Sequence, residues 1–241
     1  MKLIWIIAKR ELSSYFDSII AYLMIIIFLG LSGYFTWLSD SNVFFYGQAD
    51  LQVFFGISYW TLFFFIPAIT MRSLAEEKRS GTIELLSTKA VTDWQIVSGK
   101  FIATLLLITI ALAATLPYYI TINMLGNVDN GAIIGGYFGL LLLSAMYISI
   151  GIFASSLSEN QIVAFLLALV IGFFFHILFQ LMSADSTGII GETLNYLSAR
   201  VHYDSLSRGV IDSRDIIYFG SIIVLGLVLS QAMLSKRNWH N

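Results

Sequence analysis

"FIATLLLITIALAATLPYYITINM", residues 101–124, runs through 24 positions without one Asp, Glu, Lys or Arg. A bilayer's hydrocarbon core takes about 20 apolar residues in helical form to cross, so a stretch of this length and purity reads as a transmembrane helix. Working outward, charge-free windows of comparable length occur at Ile19 to Leu38, Phe54 to Met71, Ala132 to Leu157, Ile162 to Met182 and Ile216 to Leu234. The composition agrees: 58% of the 241 residues are hydrophobic and 12% charged, more apolar surface than a water-soluble chain of this size can hide. Mean hydropathy is +0.82. Transmembrane β-strands would alternate in polarity over ~10 residues, and "LLLITIALAATL" and "FLLALVIGFFF" do not. The expected fold is therefore an all-α integral membrane protein with six transmembrane helices. The first window starts late, is long for a signal peptide and lacks a small-residue cleavage site, so it reads as a retained helix.

Cations set the orientation. Lys2, Lys9 and Arg10 precede the first span, Arg72, Lys78, Arg79, Lys89 and Lys100 lie between the second and third, and Lys236 and Arg237 follow the sixth. Only Arg200, Arg208 and Arg214 fall on the other side, giving ten against three. The positive-inside rule then puts both termini in the cytoplasm.

Several chemistries drop out. The chain has no cysteine, which removes disulfides, thiolate metal sites and cysteine nucleophiles. "SGK" at 98–100 ends like a phosphate-binding loop, but Trp94 stands where its first glycine belongs and Phe101 where the magnesium-holding Ser or Thr belongs. The three histidines, His176, His202 and His240, form no HExxH motif, so no metal ligand set is expected. No carboxylate lies inside a charge-free window, which argues against a proton-coupled pump. Ser58 and His176 allow an intramembrane serine protease as a remote alternative. His176 and Gln180, one turn apart in the fifth span, are candidates to line a substrate path, or they bond a neighbouring helix.

Outside the spans, Ile4, Ala8, Leu12 and Phe16 recur every four residues, predicting an interfacial helix over 1–17 with its apolar side toward lipid and its cations toward headgroups. Gly131, Gly135 and Gly139, then Ala145 with Ser149 and Gly151 with Ser155, give the fourth span a small-residue seam for close helix packing within the chain or between two copies. In 183–215, Ile189, Ile190, Leu194 and Leu197 predict an outer amphipathic segment, followed by an irregular return.

The charged stretch 72–100 is the most informative. Span 2 is expected to continue as helix through Arg72 to Arg79 until Gly81 breaks it. "TIELLS" then offers a short helix whose Ile83, Leu85 and Leu86 are too apolar to face water alone, with Glu84 complementing its dipole. Thr92 and Gln95 form a capping box for the helix entering span 3. A cytoplasmic coupling elbow with an apolar, charge-rimmed face has the form of a docking surface. A plain solvated loop would explain the charges but not the apolar trio.

At these residues the chain resembles the permease subunits of ABC-2 type transporters. "EEKRSGTIELLSTKAVTDWQIVSGKF" at 76–101 is similar to their cytoplasmic coupling segment, E-x-x-x-G-T-x-E-x-L followed by a D-W-x-I-V-x-G-K-like helix start. "IIAKRELSSYFDSIIAY" at 6–22, "SSLSENQIVAFLL" at 155–167 and "HYDSLSRGVIDSRDIIYF" at 202–219 resemble the interface helix, the second cytoplasmic turn and the outer return, in the family's order. Ala90 and Ile19 stand where the family often has proline. Within the family the chain looks most like the gliding-motility-associated ABC permeases, with the copper-site maturation permease of nitrous oxide reductase as a near relative.

The resemblance implies one permease domain over 1–241, in the bacterial inner membrane, with no catalytic centre and no cofactor of its own. ATP and magnesium would sit on a separate ABC ATP-binding subunit, and the chain would pair with a second permease copy or a sister permease; membrane lipid is a partner and nucleic acid is not. It implies ATPase-coupling roles for Glu77, Arg79, Gly81, Thr82, Ile83, Glu84, Leu85, Leu86, Thr92 and Trp94, and for Ser158, Glu159, Asn160 and Gln161 in the second turn. A non-transporting membrane scaffold that recruits a cytoplasmic partner is the reading from another class.

Overall fold

The computed structural model describes residues 2–39, 44, 49–82 and 91–236, and every regular element among them is helical. Helix α1 (Lys2–Asp17) ends at Ser18, whose extended backbone turns the chain and whose Oγ accepts from the Ile20 N–H to start α2 (Ile19–Gly33). That serine cap does locally what a proline before the span would do. Span 1 finishes in a π-helical turn, Tyr34–Leu38.

Span 2 is α3 (Gln52–Thr70), followed after a short turn by α4 (Ala75–Arg79). Gly81, at φ +67°, stops it, in a left-handed conformation that glycine adopts without a Cβ penalty. The expected capping box opens α5 (Asp93–Ala113): the Gln95 N–H donates to Thr92 Oγ1, and the Thr92 N–H to Gln95 Oε1. Span 3 is less regular than its uniform composition predicts. The chain breaks at Ala114 and Thr115 and resumes as α6 (Leu116–Leu125), because Pro117 has no N–H to continue the ladder. Span 4 is the unbroken α7 (Asn130–Leu157), capped by Asp129. Span 5 comprises α8 (Gln161–Phe173), a second π-helical turn (Phe174–Leu178) and α9 (Phe179–Ala184). Two short helices, α10 (Gly188–Leu197) and α11 (Ala199–Ser207), precede span 6, α12 (Ser213–Ser235).

Among the described residues, six helices are thus long and apolar enough to cross a membrane, at the six windows read from the sequence. Span 4 is the hub: 78% of its apolar window is buried, against 22% for span 5 and 28% each for spans 1 and 6. Its small residues explain why. A Cβ at Gly136 would lie 2.4 Å from the Phe55 ring, one at Gly151 2.0 Å from Thr70 Oγ1, and Ser149 packs on Gly226. Between apolar helices in lipid, van der Waals fit drives association, so the helix with the smallest side chains gathers the others. The large apolar side chains left outside, such as Ile26, Ile162, Val170, Ile217 and Val224, suit contact with hydrocarbon.

Two expectations are corrected. The stripe Ile4, Ala8, Leu12 and Phe16 does not turn outward: Ala8 is fully buried and α1 lies against α5, with Ile7 over Gly99. Leu3, Trp5 and Ile6 form the exposed apolar face instead. Gly99 provides a shallow seat on α5 that a larger residue would fill. Nor is the return after α10 irregular, since Ala199, His202, Tyr203 and Leu206 give α11 a buried face against Gly135 and Gly139 of span 4. The glycine seam therefore serves packing within the chain.

Candidate functional site

The N-terminal helix, the end of span 2, the start of span 3, the turn between spans 4 and 5 and the end of span 6 meet at one end of the bundle. Where span 2 breaks, at Met71 to Leu74, its freed backbone groups are taken up by one side chain from span 4. Ser155 Oγ accepts from the N–H groups of Leu74 and Ala75 and donates to the Met71 carbonyl, each at 3.0 Å. Lys78 Nζ donates to the carbonyl of Ser156. Across the same end, Ser235 Oγ donates to Asp93 Oδ2 at 3.1 Å, tying span 6 to the first turn of span 3.

The electrostatic centre of this end is Lys100, whose side chain is only 3% exposed. Its Nζ lies 2.8 Å from Glu77 Oε1 and 3.3 Å from Glu11 Oε1. A buried ammonium is costly unless paired and hydrogen-bonded, so this lysine pins α1, α4 and α5 to one another. Burial alone would raise the Glu11 carboxyl, but Lys100, together with Arg10 at 3.0 Å, outweighs it and holds the group below its ordinary value. Tyr15 bonds Thr104 at 3.1 Å, and its hydroxyl is pushed up to about 12, by burial first and then by the charges of Glu11 and Glu77. A cleft of about 500 Å³ opens beside this cluster, between α1 and the exit of span 2, with Arg10, Arg72, Ser73 and Glu76 on its walls.

Of the residues expected from the sequence to couple to an ATPase, Glu77 is in the ion cluster, Arg79, Gly81 and Thr82 are exposed beyond it, and Thr82 Oγ1 lies 2.8 Å from Ser80 Oγ. Thr92 is the cap of α5 and Trp94 is 39% exposed. Ile83, Glu84, Leu85, Leu86 and Ala90 lie outside the described residues. Ser158, Glu159, Asn160 and Gln161 make the neighbouring turn, where Asn160 Oδ1 accepts from the Ile162 N–H at 2.9 Å to start α8. The two segments singled out from sequence thus sit on the same end, joined through Lys78 and Ser155.

Matches to known proteins bear on this geometry. The family model described as ABC-2 family transporter protein matches residues 5–234, nearly the whole chain. The chain is an ABC-2 family permease. A search of curated proteins returns no match. Members of this family are membrane transport components rather than catalysts, and generally work with an ATP-binding subunit.

Deeper in the permease, His176 is buried in the π-helical turn of span 5, stacked between Tyr59 and Phe63 with ring centroids 4.2 and 4.4 Å away. Its Nδ1 is 2.7 Å from the Tyr147 hydroxyl, and Tyr59 donates to its backbone carbonyl at 2.8 Å. The imidazole does bond a neighbouring helix, and with Gln180 it also lines a cleft against Tyr59 and Trp60. Ser58 Oγ and His176 Nε2 both lack a hydrogen-bond partner among the described residues, so the two do not form the pair a serine protease would need.

Some polar groups of the permease escaped sequence reasoning. Lys100 and Asp215 each stand one residue outside a charge-free window, yet they are 2% and 5% exposed. At the opposite end of the bundle, His202 bridges Asp215 Oδ1 at 2.7 Å and the Tyr196 carbonyl at 2.8 Å, and stacks on Tyr218. It fastens α10 and α11 to the start of span 6. Arg200, on α11, bonds Asp204 and lies over the Tyr59 ring.

Proposed function

We propose that this permease couples ATP hydrolysis on a separate ABC ATP-binding subunit to movement of a substrate across the bacterial inner membrane. Its end bearing α1, α4 and the turn at Ser158–Gln161 would face the cytoplasm. The observation that carries the reading is the Lys100, Glu11 and Glu77 cluster, buried directly behind the coupling segment. A force delivered through Glu77 would meet an anchored helix. In this reading Glu77, Arg79, Gly81, Thr82, Ile83, Glu84, Leu85, Leu86, Thr92 and Trp94 meet the ATPase, with Ser158 to Gln161 beside them. The chain works with a second permease copy or a sister permease and binds no cofactor itself. A role in gliding motility rests on the sequence resemblance alone.

The test is a mild-detergent pull-down of the tagged chain from its native membranes, with mass spectrometry and an ATPase assay on the eluate. A P-loop subunit is expected with the wild type and lost with Glu84→Lys and Leu85→Asp, both variants still inserting normally. Normal recovery of the ATPase with both variants would refute the assignment of the elbow. An intact permease that brings down no ATPase would favour a scaffold.

A further inference from the structure

The cleft between spans 2 and 5 holds more recognition chemistry than packing requires. It encloses about 280 Å³. One wall is aromatic, with the Trp60 ring 41% exposed and edge-on to His176 at 4.4 Å. Another wall presents donors. His176 is 1% exposed, and its Nε2 has no partner among the described residues. With Tyr147 donating to Nδ1, the imidazole proton lies on Nε2, which is then a buried donor without a partner among the described residues. Arg200 adds a fork. Asp204 takes its Nε at 3.0 Å and the guanidinium lies 4.9 Å from the Tyr59 ring centroid, so the group is held in place while its two terminal nitrogens have no partner among the described residues. Gln180 and Asp204, whose carboxylate is engaged by the Arg200 Nε–H, complete the lining.

Buried donors left unmatched cost stability, and a π-helical turn is a costly way to place one. We infer that this cleft is a binding site for an amphiphile whose carboxylate or phosphate is held by the Arg200 fork and His176 Nε2–H while its apolar part lies along Trp60. An end-on guanidinium edge fits either anion bidentately. The inference deepens the permease reading by naming the substrate class, and so rests on it.

Binding can be measured without any ATPase, so its failure is distinct from failure of the pull-down. The permease is placed in nanodiscs of zwitterionic lipid and titrated with dibromostearate, whose bromines quench nearby tryptophan, and Trp60→Phe identifies the Trp60 component. Saturable quenching is expected, weakened at least tenfold in Arg200→Gln, with intermediate weakening in Arg200→Lys, which keeps the charge but not the fork. Octadecyl phosphate should compete, and dibromo-octadecanol, of equal length but uncharged, should not saturate. Equal binding of the alcohol, or unchanged affinity in both Arg200 variants, would overturn the site. Displacement by millimolar inorganic phosphate or acetate would overturn the amphiphile and point to a water-soluble anion.

Discussion

Replacing Lys100 by methionine tests how far the end of the bundle that carries α1 and α4 depends on one buried charge. Methionine keeps the unbranched stem that fills the path between α1 and α5 and deletes only the ammonium. At an effective dielectric of ~20, the contacts of 2.8 and 3.3 Å correspond to gross attractions of roughly 6 and 5 kcal/mol. Much of that repays desolvation of the lysine and the mutual repulsion of two carboxylates. Removing one member of a buried ion pair typically costs about 3–5 kcal/mol, because the partner is left uncompensated. Here both glutamate side chains keep 17% exposure, so water relieves part of the penalty and about 3 kcal/mol is expected. That is a factor of more than a hundred in the folding equilibrium. The assay is reversible unfolding of the permease in mixed detergent micelles, followed by near-ultraviolet circular dichroism, with trypsin cleavage after Lys9 and Arg10 as a local readout of whether α1 still lies on α5. The triple variant Lys100→Met, Glu11→Gln, Glu77→Gln carries no stranded charge and should return to within about 1 kcal/mol of wild type, since neutral replacements for buried ion pairs are often tolerated. A single variant costing less than about 1 kcal/mol, or a triple variant no better than the single, would refute the view that the cluster is held by charge compensation.

Three further outcomes follow from the same geometry. Because Lys100 and Arg10 hold the Glu11 carboxyl below its ordinary value, its ionised form stabilises the fold at neutral pH, and that contribution should disappear as pH falls through the lowered value; a pH series of the same unfolding assay should show a smaller acid loss for Glu11→Gln. Ser155→Ala strands the Leu74 and Ala75 N–H groups and the Met71 carbonyl, which should cost roughly 2–4 kcal/mol and speed hydrogen exchange at those two amides, measurable by mass spectrometry. Gly135→Ala would put a Cβ 2.2 Å from the Leu206 carbonyl oxygen, so α11 must move and roughly 1–3 kcal/mol should be lost, whereas Gly220→Ala, with nothing within 4 Å, should be neutral or stabilising in the same assay.

The six spans were legible because hydrocarbon tolerates so little: a stretch that crosses it must be apolar for about 20 residues, and no tertiary information is needed to see that. The capping box at Thr92 and the break at Gly81 were legible for a similar reason, since both are local chemistry. What escaped depends on partners distant in sequence. Lys100 reads as a solvated charge at a helix start until Glu11, 89 residues earlier, arrives beside it on α1. Once that pairing forms, the stripe containing Ala8 and Leu12 must face α5 and not lipid. His202 scores as a polar residue, which hid the i, i+3, i+4, i+7 pattern of Ala199, His202, Tyr203 and Leu206 that defines the buried face of α11. The π-helical turns at Tyr34–Leu38 and Phe174–Leu178 have no sequence signature, and the second places His176 in the cleft.

These contacts also indicate how a push at the elbow would travel. Spans 2, 3, 4 and 6 and helix α1 are all cross-tied at that end, through Leu74, Glu77 and Lys78, Lys100 and Asp93, Ser155 and Ser156, Ser235, and Glu11. Of these, span 2 also carries Tyr59 and Trp60, which wall the His176 cleft. From Ala75 to Tyr59 is 16 residues, about 24 Å of helix. A rod of that length transmits displacement only if it does not bend on the way, and its break at Met71 to Leu74 is the weak point. Ser155 is the side chain that splints this break by occupying the backbone groups the missing helical bonds release. If the permease works as proposed, by moving span 2 against span 5 under an ATPase docked at the elbow, Ser155→Ala should retain that partner, because the proposed docking residues are unchanged, while weakening the response of ATP hydrolysis to a ligand bound in the cleft. A variant that loses the partner outright, or whose ligand response is unchanged, would show that the motion takes another route through the bundle.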